Sequence, residues 1–132
     1  MYNAKTNSWT AIANLNTARC ASAAVTVDDT VYIFGGYDND INAIDDGEQF
    51  DIATNKWTVL QARMNQKRCG IAAACMDGKV YLVGGDSNNI SNSAEYFDAV
   101  GKRFVSVSPM LTDRCILAAA SVFFSKRALA AR

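Results

Sequence analysis

The sequence predicts an all-β fold, an incomplete β-propeller built of four-stranded antiparallel blades. A pattern recurs along the chain with spacings of 49 and 46 residues, marked by Arg19, Arg68 and Arg114. Apolar runs of five to eight residues, typical of strands, alternate with turn-forming Asp, Asn and Gly residues. Four such runs fit one repeat. A four-stranded repeat that cannot bury both faces alone is the unit of a propeller blade.

The second and third runs of the repeat keep a constant register. Residues 31–36 and 80–85 both begin twelve residues after the preceding arginine and read apolar-Tyr-apolar-apolar-Gly-Gly. The third run carries Glu-x-Phe-Asp, and a further aromatic residue, Trp57 or Phe104, follows that Phe by seven residues. Because two copies keep this order without a slip, we expect them to fold alike.

The first run of each repeat is rich in alanine, at residues 21–27 and 71–76. Alanine alone would favour a helix. Each run, however, has only about seven residues and precedes a tight turn, Asp28-Asp29 or Asp77-Gly78, and a β-branched, aromatic strand. These runs are therefore predicted to be strands.

The glycine pairs and the late aromatic residues are predicted to be structural. Paired glycines permit a positive φ or a close approach of two backbones. Large aromatic side chains can fill the space between neighbouring blades. The residues assigned to this structural motif are Gly35, Gly36, Gly84, Gly85, Trp57 and Phe104.

Taken together, these motifs resemble the Kelch repeat. The Met-x-x-x-Arg ending and the period near 48 are most similar to the propellers of the BTB-Kelch family. The resemblance implies a protein-binding module, the substrate-recognition part of cullin-3 ubiquitin ligase adaptors. The alternative is an actin-binding or cytoskeletal scaffold protein. The partner would thus be a protein substrate or actin, and cullin-3 would be engaged only through domains that this chain lacks.

The repeat divides the chain into five segments. Residues 1–18 form the end of one repeat, 19–67 and 68–113 are complete repeats, and 114–122 begin another. Residues 123–132 depart from the pattern, since Ala130-Ala131 stand where Gly-Gly is due. A truncation, an altered reading frame and a genuine cap would each explain this tail. The chain has material for about two and a half blades, whereas a closed propeller needs at least four.

Composition argues against several classes of partner. Thirteen basic residues balance thirteen acidic ones, so no nucleic acid or anionic membrane is expected as a partner. The N-terminus has no secretory signal pattern, which predicts a cytoplasmic protein with free thiols at its four cysteines. The sequence contains no histidine, the commonest general base and copper ligand. We therefore expect no enzyme activity, no cofactor, no metal site and no catalytic residue.

The three repeated arginines, Arg19, Arg68 and Arg114, are candidate partner-binding residues. They end the loops that lead into each repeat, where some BTB-Kelch relatives place an arginine that contacts an acidic peptide. A guanidinium suits a carboxylate or phosphate because of its bidentate geometry. The alternative is a structural arginine that donates to loop carbonyls, since the residue recurs in every copy.

The loops after the glycine pairs are the stronger candidates for specificity, because they differ between copies. Tyr37 and Asp38 follow the first pair, and Asp86 and Ser87 follow the second. An exposed tyrosine is a typical interface anchor. The alternative for each of these residues is a solvated, turn-forming side chain.

Overall fold

The structure is a computed structural model, and it describes residues 1–87 and 89–121. These residues form short strands joined by turns and loops, with no helix among them. The strands are β1 (Tyr2–Asn3), β2 (Ser8–Trp9), β3 (Ala23–Val27), β4 (Thr30–Phe34), β5 (Gly47–Asp51), β6 (Lys56–Val59), β7 (Ala72–Met76), β8 (Lys79–Val83), β9 (Ala94–Asp98) and β10 (Arg103–Val107).

The strands form two four-stranded sheets and one hairpin. Strands β3 to β6 pair antiparallel in sequence order and make blade 1, and β7 to β10 make blade 2 in the same order. Strands β1 and β2 pair with each other, Tyr2 opposite Trp9. The repeated aromatics face each other across the outer strands, Phe50 opposite Trp57 and Phe97 opposite Phe104. The prediction of an all-β fold with four-stranded antiparallel blades is confirmed.

The alanine-rich runs form the first strands of the blades, β3 and β7, as predicted. Their turns need a left-handed residue, and Asp28, Asp77 and Gly78 adopt φ values of 50°, 52° and 69°. Asp and Gly tolerate that conformation better than most residues. The two alanine-rich strands contact each other across the blade boundary. Small side chains therefore let the first strands of neighbouring blades approach closely.

The main apolar core lies between the blades. Tyr32 and Phe34 of blade 1 pack on Phe97 of blade 2, with ring centroids 5.5 Å apart in both pairs. Phe104 meets Phe34 edge-on at 5.9 Å. Aromatic pairs at such separations contribute stabilisation beyond the area they bury. The late aromatic of blade 2 thus lies at the blade boundary.

Lys102, in the turn before β10, also joins the two blades. Its Nζ donates to Tyr32 Oη at 3.2 Å and to Gln49 Oε1 at 3.3 Å. The ammonium lies 5.4 Å from the centroid of the Tyr32 ring. This polar contact at the rim of the interface supplements the aromatic core.

Backbone hydrogen bonds connect each repeat to the next at the glycine pairs. Gly36 N donates to Arg68 O at 2.9 Å, and Gly85 N donates to Arg114 O at 2.8 Å. The first glycine of each pair has a positive φ, 59° at Gly35 and 65° at Gly84. A Cβ there would clash with the same arginine carbonyl. These positions therefore require glycine for both conformation and space.

The strands of blades 1 and 2 lie inside the predicted repeats 19–67 and 68–113, whose boundaries stay a prediction. Residue 122 and the tail 123–132 lie outside the described residues. Among the described residues, no helix has the length and apolar character needed to cross a bilayer.

Candidate functional site

Arg19 is held inside blade 1 by charged and carbonyl groups. Its side chain is fully buried, and Nη2 donates to Asp46 Oδ1 at 2.7 Å and to Glu48 Oε1 at 2.9 Å. Nη1 donates to Gly35 O at 3.0 Å. The guanidinium therefore ties the loop before β3 to the end of β4 and the start of β5.

Arg68 has the corresponding place in blade 2. Nη1 donates to Gly84 O at 2.8 Å, and Nη2 donates to Glu95 Oε1 at 3.0 Å. Burial lowers the pKa of Arg68, and the negative charge of Glu95 only partly opposes this effect. Its ion pair with Glu95 and its hydrogen bonds to the carbonyls of Gly84 and Ser93 are the contacts of a structural arginine.

These contacts favour the structural interpretation of the repeated arginines over direct contact with a partner. Most donors of Arg19 and Arg68 are already occupied within their own blades. Arg114 differs because it is exposed, and its carbonyl accepts from Gly85 N as the Arg68 carbonyl accepts from Gly36 N. Partner contact through any of the three stays a prediction.

The glutamate of each third strand anchors the loop that precedes its blade. Glu48 Oε2 accepts from Asn16 N and Nδ2, both at 2.8 Å, and Oε1 accepts from Thr17 N at 3.0 Å. Burial disfavours the charged form of Glu48, but these hydrogen bonds and Arg19 outweigh it and hold its pKa below 4.5. The repeated Glu and Arg residues therefore form one structural network per blade.

The loop face, formed by the loops after the glycine pairs and before the arginines, carries two adjoining clefts. The Tyr37 cleft, of about 390 Å³, lies at the junction of the two blades. Its lining residues come from the blade 1 loop, the connection at Lys67 and the blade 2 loop. They are Tyr37, Ile41, Asn42, Ala43, Lys67, Asp86 and Ser87.

The second cleft, the Ser91 cleft of about 310 Å³, lies within blade 2. It shares Lys67, Asp86 and Ser87 with the Tyr37 cleft. Its other lining residues are mostly polar: Gln66, Arg68, Gly85, Asn89, Ile90 and Ser91. A continuous polar surface thus extends from Tyr37 to Ser91.

The structure brings three of the predicted loop residues together. Tyr37, Asp86 and Ser87 line the clefts, whereas Asp38 lines neither of those two. Asp38 Oδ1 instead accepts from the backbone N of Asp40 and of Asn42, both at 2.9 Å. The hydrogen bond from Asn42 lowers the pKa of Asp38. Its side chain therefore shapes the loop, as in the alternative stated for it above.

Tyr37 is a protonated donor at neutral pH. A hydrogen bond with the Cys69 side chain, together with nearby negative charge, raises the pKa of Tyr37 to about 12. Its backbone pairs with Cys20, with Tyr37 N donating to Cys20 O at 2.8 Å. Tyr37 thereby contacts blade 2 while it is anchored to the start of blade 1.

Lys67 and Asn42 are cleft residues that the sequence analysis did not select. Lys67 is exposed and forms no salt bridge among the described residues. The repeat carried a signal for it, because the residue before each arginine differs between copies: Ala18, Lys67 and Asp113. Variation at a loop position beside an invariant scaffold residue was the criterion that selected Tyr37 and Asp86.

The cleft surface suits a polar, hydrogen-bonding ligand. Lys67 supplies a positive charge, Asp86 accepts, and Ser87 and Asn42 can both donate and accept. No group of three or more His, Cys, Asp or Glu side chains in residues 1–87 and 89–121 is arranged to hold a metal ion. Binding by side-chain hydrogen bonds is the chemistry that this arrangement offers.

The fold matches that of a solved Kelch-type propeller. The structure of YjhT covers 82% of this chain with a TM-score of 0.74 and 18% sequence identity, and the chain spans 43% of the YjhT chain. No curated protein sequence matches the chain significantly. The prediction of an incomplete Kelch propeller is confirmed.

The family comparison corrects the functional prediction. The family model described as N-acetylneuraminate epimerase matches residues 2–104. It gives no support to the BTB-Kelch assignment within the Kelch propellers. The expectation that the chain is not an enzyme is wrong, because the matching family is named for an enzymatic activity. That expectation rested on the absence of histidine, although carboxylates, tyrosines and lysines can also transfer protons. The chain belongs to the N-acetylneuraminate epimerase family.

Proposed function

We propose that the loop face binds a sugar acid and that the chain supplies part of the ligand-binding face of a sugar-processing propeller. The observation that carries this proposal is the pair of adjoining polar clefts at Lys67, Asp86 and Ser87. Membership of the N-acetylneuraminate epimerase family supports it, because N-acetylneuraminate combines a carboxylate with hydroxyl groups and an acetamido group.

Each part of such a ligand has a suitable group in the clefts. Lys67 provides the positive charge that attracts a carboxylate. Asp86, Asn42 and Ser87 offer hydrogen bonds to sugar hydroxyls. Tyr37 and Ile41 provide apolar surface, since Ile41 is 77% exposed at the rim of the Tyr37 cleft. The clefts have volumes of about 390 and 310 Å³, within the range of small-molecule sites.

Calorimetric titration with N-acetylneuraminate tests this proposal. We expect saturable binding, and Asp86→Ala should weaken it by roughly 1.5 to 3 kcal/mol, the scale of a hydrogen bond to a charged group. Asp29→Ala is the matched control, because Asp29 lies in the turn at the opposite end of β4 from the glycine pair. Equal affinities for the two variants, or no binding by the unmodified chain, would contradict the proposal.

A protein partner is the second candidate. Ile41 and Ile90 are 77% and 49% exposed beside the two clefts, and such side chains can anchor a protein interface. This candidate includes the roles implied by the BTB-Kelch resemblance, recognition of a ubiquitin ligase substrate or of actin. Filament co-sedimentation of the chain, compared with an Ile41→Asp and Ile90→Asp double variant, tests actin binding. Equal sedimentation of the two would count against it.

A further inference from the structure

The two blades differ at one buried position next to the repeated arginine. In blade 1, Asp46 is 9% exposed and accepts from Arg19 Nη2 at 2.7 Å. Together with Glu48, it gives Arg19 two carboxylate partners. The other carboxylate oxygen of Asp46, Oδ2, also forms an ion pair with Arg63 Nη1 at 3.2 Å.

Ser93 holds the same place in blade 2. Gly35 N donates to Asp46 O and Gly84 N donates to Ser93 O, both at 2.9 Å. The two residues are therefore equivalent in the backbone network, but serine lacks the carboxylate. Among the described residues, Arg68 is left with one carboxylate partner, Glu95.

The Arg68 guanidinium, which has only one carboxylate partner among the described residues, lies beside a cleft. The Arg68 side chain is 3% exposed, yet it contributes to the lining of the Ser91 cleft. Its Nε, like that of Arg19, has no hydrogen-bond partner among the described residues. The lowered pKa of Arg68 shows that Glu95 does not fully compensate for burial, so a second negative charge would stabilise the guanidinium.

The other groups at this place can also bind an anion. Gln66 Nε2 donates to Ser93 Oγ, and the hydroxyls of Ser91 and Ser93 lie 2.9 Å apart. Blade 1 has Thr17 and Ile44 at the positions of Gln66 and Ser91, so the amide and hydroxyl cluster is particular to blade 2. Of the charged residues in the Ser91 cleft, Lys67 would assist an anion and Asp86 would oppose it.

We propose that the Ser91 cleft is a carboxylate subsite, in which a ligand carboxylate takes the place beside Arg68 that the Asp46 carboxylate holds beside Arg19. Ser91 and Gln66, which line the cleft, donate to the bound carboxylate, Ser93 lies next to both of them, and Arg68 supplies the compensating charge. This assignment rests on the proposed function, because it locates the acidic group of the sugar within the loop face.

Binding of D-glucuronate and D-glucose, which differ in one carboxylate, tests the subsite. The unmodified chain should bind glucuronate about tenfold more tightly, as expected for a charged hydrogen-bonded group. Ser93→Asp gives blade 2 a carboxylate at the position that Asp46 has in blade 1. This variant should lose the preference for glucuronate. Ser108→Asp, which adds the same charge at an exposed position that lines neither cleft, should keep most of it.

Different results would contradict the carboxylate subsite and the proposed sugar-binding function. Equal affinity for the two sugars in the unmodified chain, or an unchanged preference in folded Ser93→Asp, would overturn the subsite while sugar binding stands. If Ser93→Asp fails to fold, Gln66→Leu provides the same comparison and should also lose the preference. If neither of these sugars binds and N-acetylneuraminate does not bind either, the proposed function fails. The subsite then stands if acetate stabilises the unmodified chain but not Ser93→Asp, and it is overturned if acetate stabilises both or neither.

Discussion

Arg68 exchanges its hydration for two backbone carbonyls and the carboxylate of Glu95 when it is buried in blade 2. Such an exchange is favourable only while every charged group keeps a partner. Removing the guanidinium would leave Glu95 charged and buried, with Asn65 N as its remaining donor among the described residues. Arg68, whose guanidinium could recognise an acidic partner, is therefore also required for the stability of the fold.

We therefore expect Arg68→Ala to destabilise the chain by about 3 to 5 kcal/mol, the cost of breaking a buried ion pair. Arg68→Lys should restore little, because one ammonium cannot reproduce the planar fork that reaches both Gly84 O and Glu95. Urea unfolding of both variants measures this effect. A loss below about 1 kcal/mol for Arg68→Ala, the scale of a surface pair, would contradict the structural role.

The glycine pair gives a second prediction at the residue scale. Gly84→Val should cost at least about 1 to 3 kcal/mol, because Gly84 has a φ of 65° and a Cβ there would clash with Arg114 O. Asp86→Ala should cost less, since the backbone bonds between Asp86 and Cys69 persist without the carboxylate. Thermal unfolding of the two variants provides the comparison. Equal midpoints would show that the glycine is not structural.

At the scale of strands and loops, the sequence predicted the order of the elements well. The length of the alanine-rich runs and the turns after them predicted strands β3 and β7. The repetition of the glycine pairs predicted their structural role. The hydrogen-bond networks around Arg19 and Arg68 could not be predicted from the sequence. A repeated residue can point into the blade or toward solvent, and repetition does not distinguish the two. Lys102 was also missed, since its contacts with Tyr32 and Gln49 join different repeats.

The Glu48 network links β5 to the preceding loop and predicts acid sensitivity. The pKa of Glu48 is lower in the folded chain than its ordinary value of 4.5. Glu48 therefore stabilises the fold above about pH 4.5, and this contribution is lost as the pH falls through the lower, folded pKa. Unfolding midpoints measured from pH 7 to pH 3 should decline at the acid end. Glu48→Gln should be less stable at pH 7 and decline less, and parallel curves would contradict this.

At the scale of the whole molecule, the described residues leave apolar side chains in contact with solvent. Trp9, Val100, Leu111 and Ile116 are between 80% and 101% exposed. In a propeller each blade covers its neighbour, as blade 2 covers Tyr32 and Phe34 of blade 1. Large exposed apolar surfaces favour association.

We accordingly expect this chain in dilute buffer to associate or to fold poorly. Light scattering after size-exclusion chromatography, combined with thermal unfolding, measures both properties. A monomer with cooperative two-state unfolding would contradict the expectation. A shift toward monomer on adding Leu111→Asp would support association through the exposed apolar side chains that follow β10.

The assignment of the loop face as a sugar-acid site is best tested by locating the bound ligand on the chain. Hydrogen–deuterium exchange, measured by mass spectrometry with and without N-acetylneuraminate, reports on each loop of the chain even if it associates. We predict that the ligand slows exchange in the loop-face segments 36–44, 64–70 and 85–91, and leaves the turns at Asp28 and Gly78 unchanged. Slowed exchange confined to those turns, or no change at saturating ligand, would contradict the assignment of the loop face as a sugar-acid site.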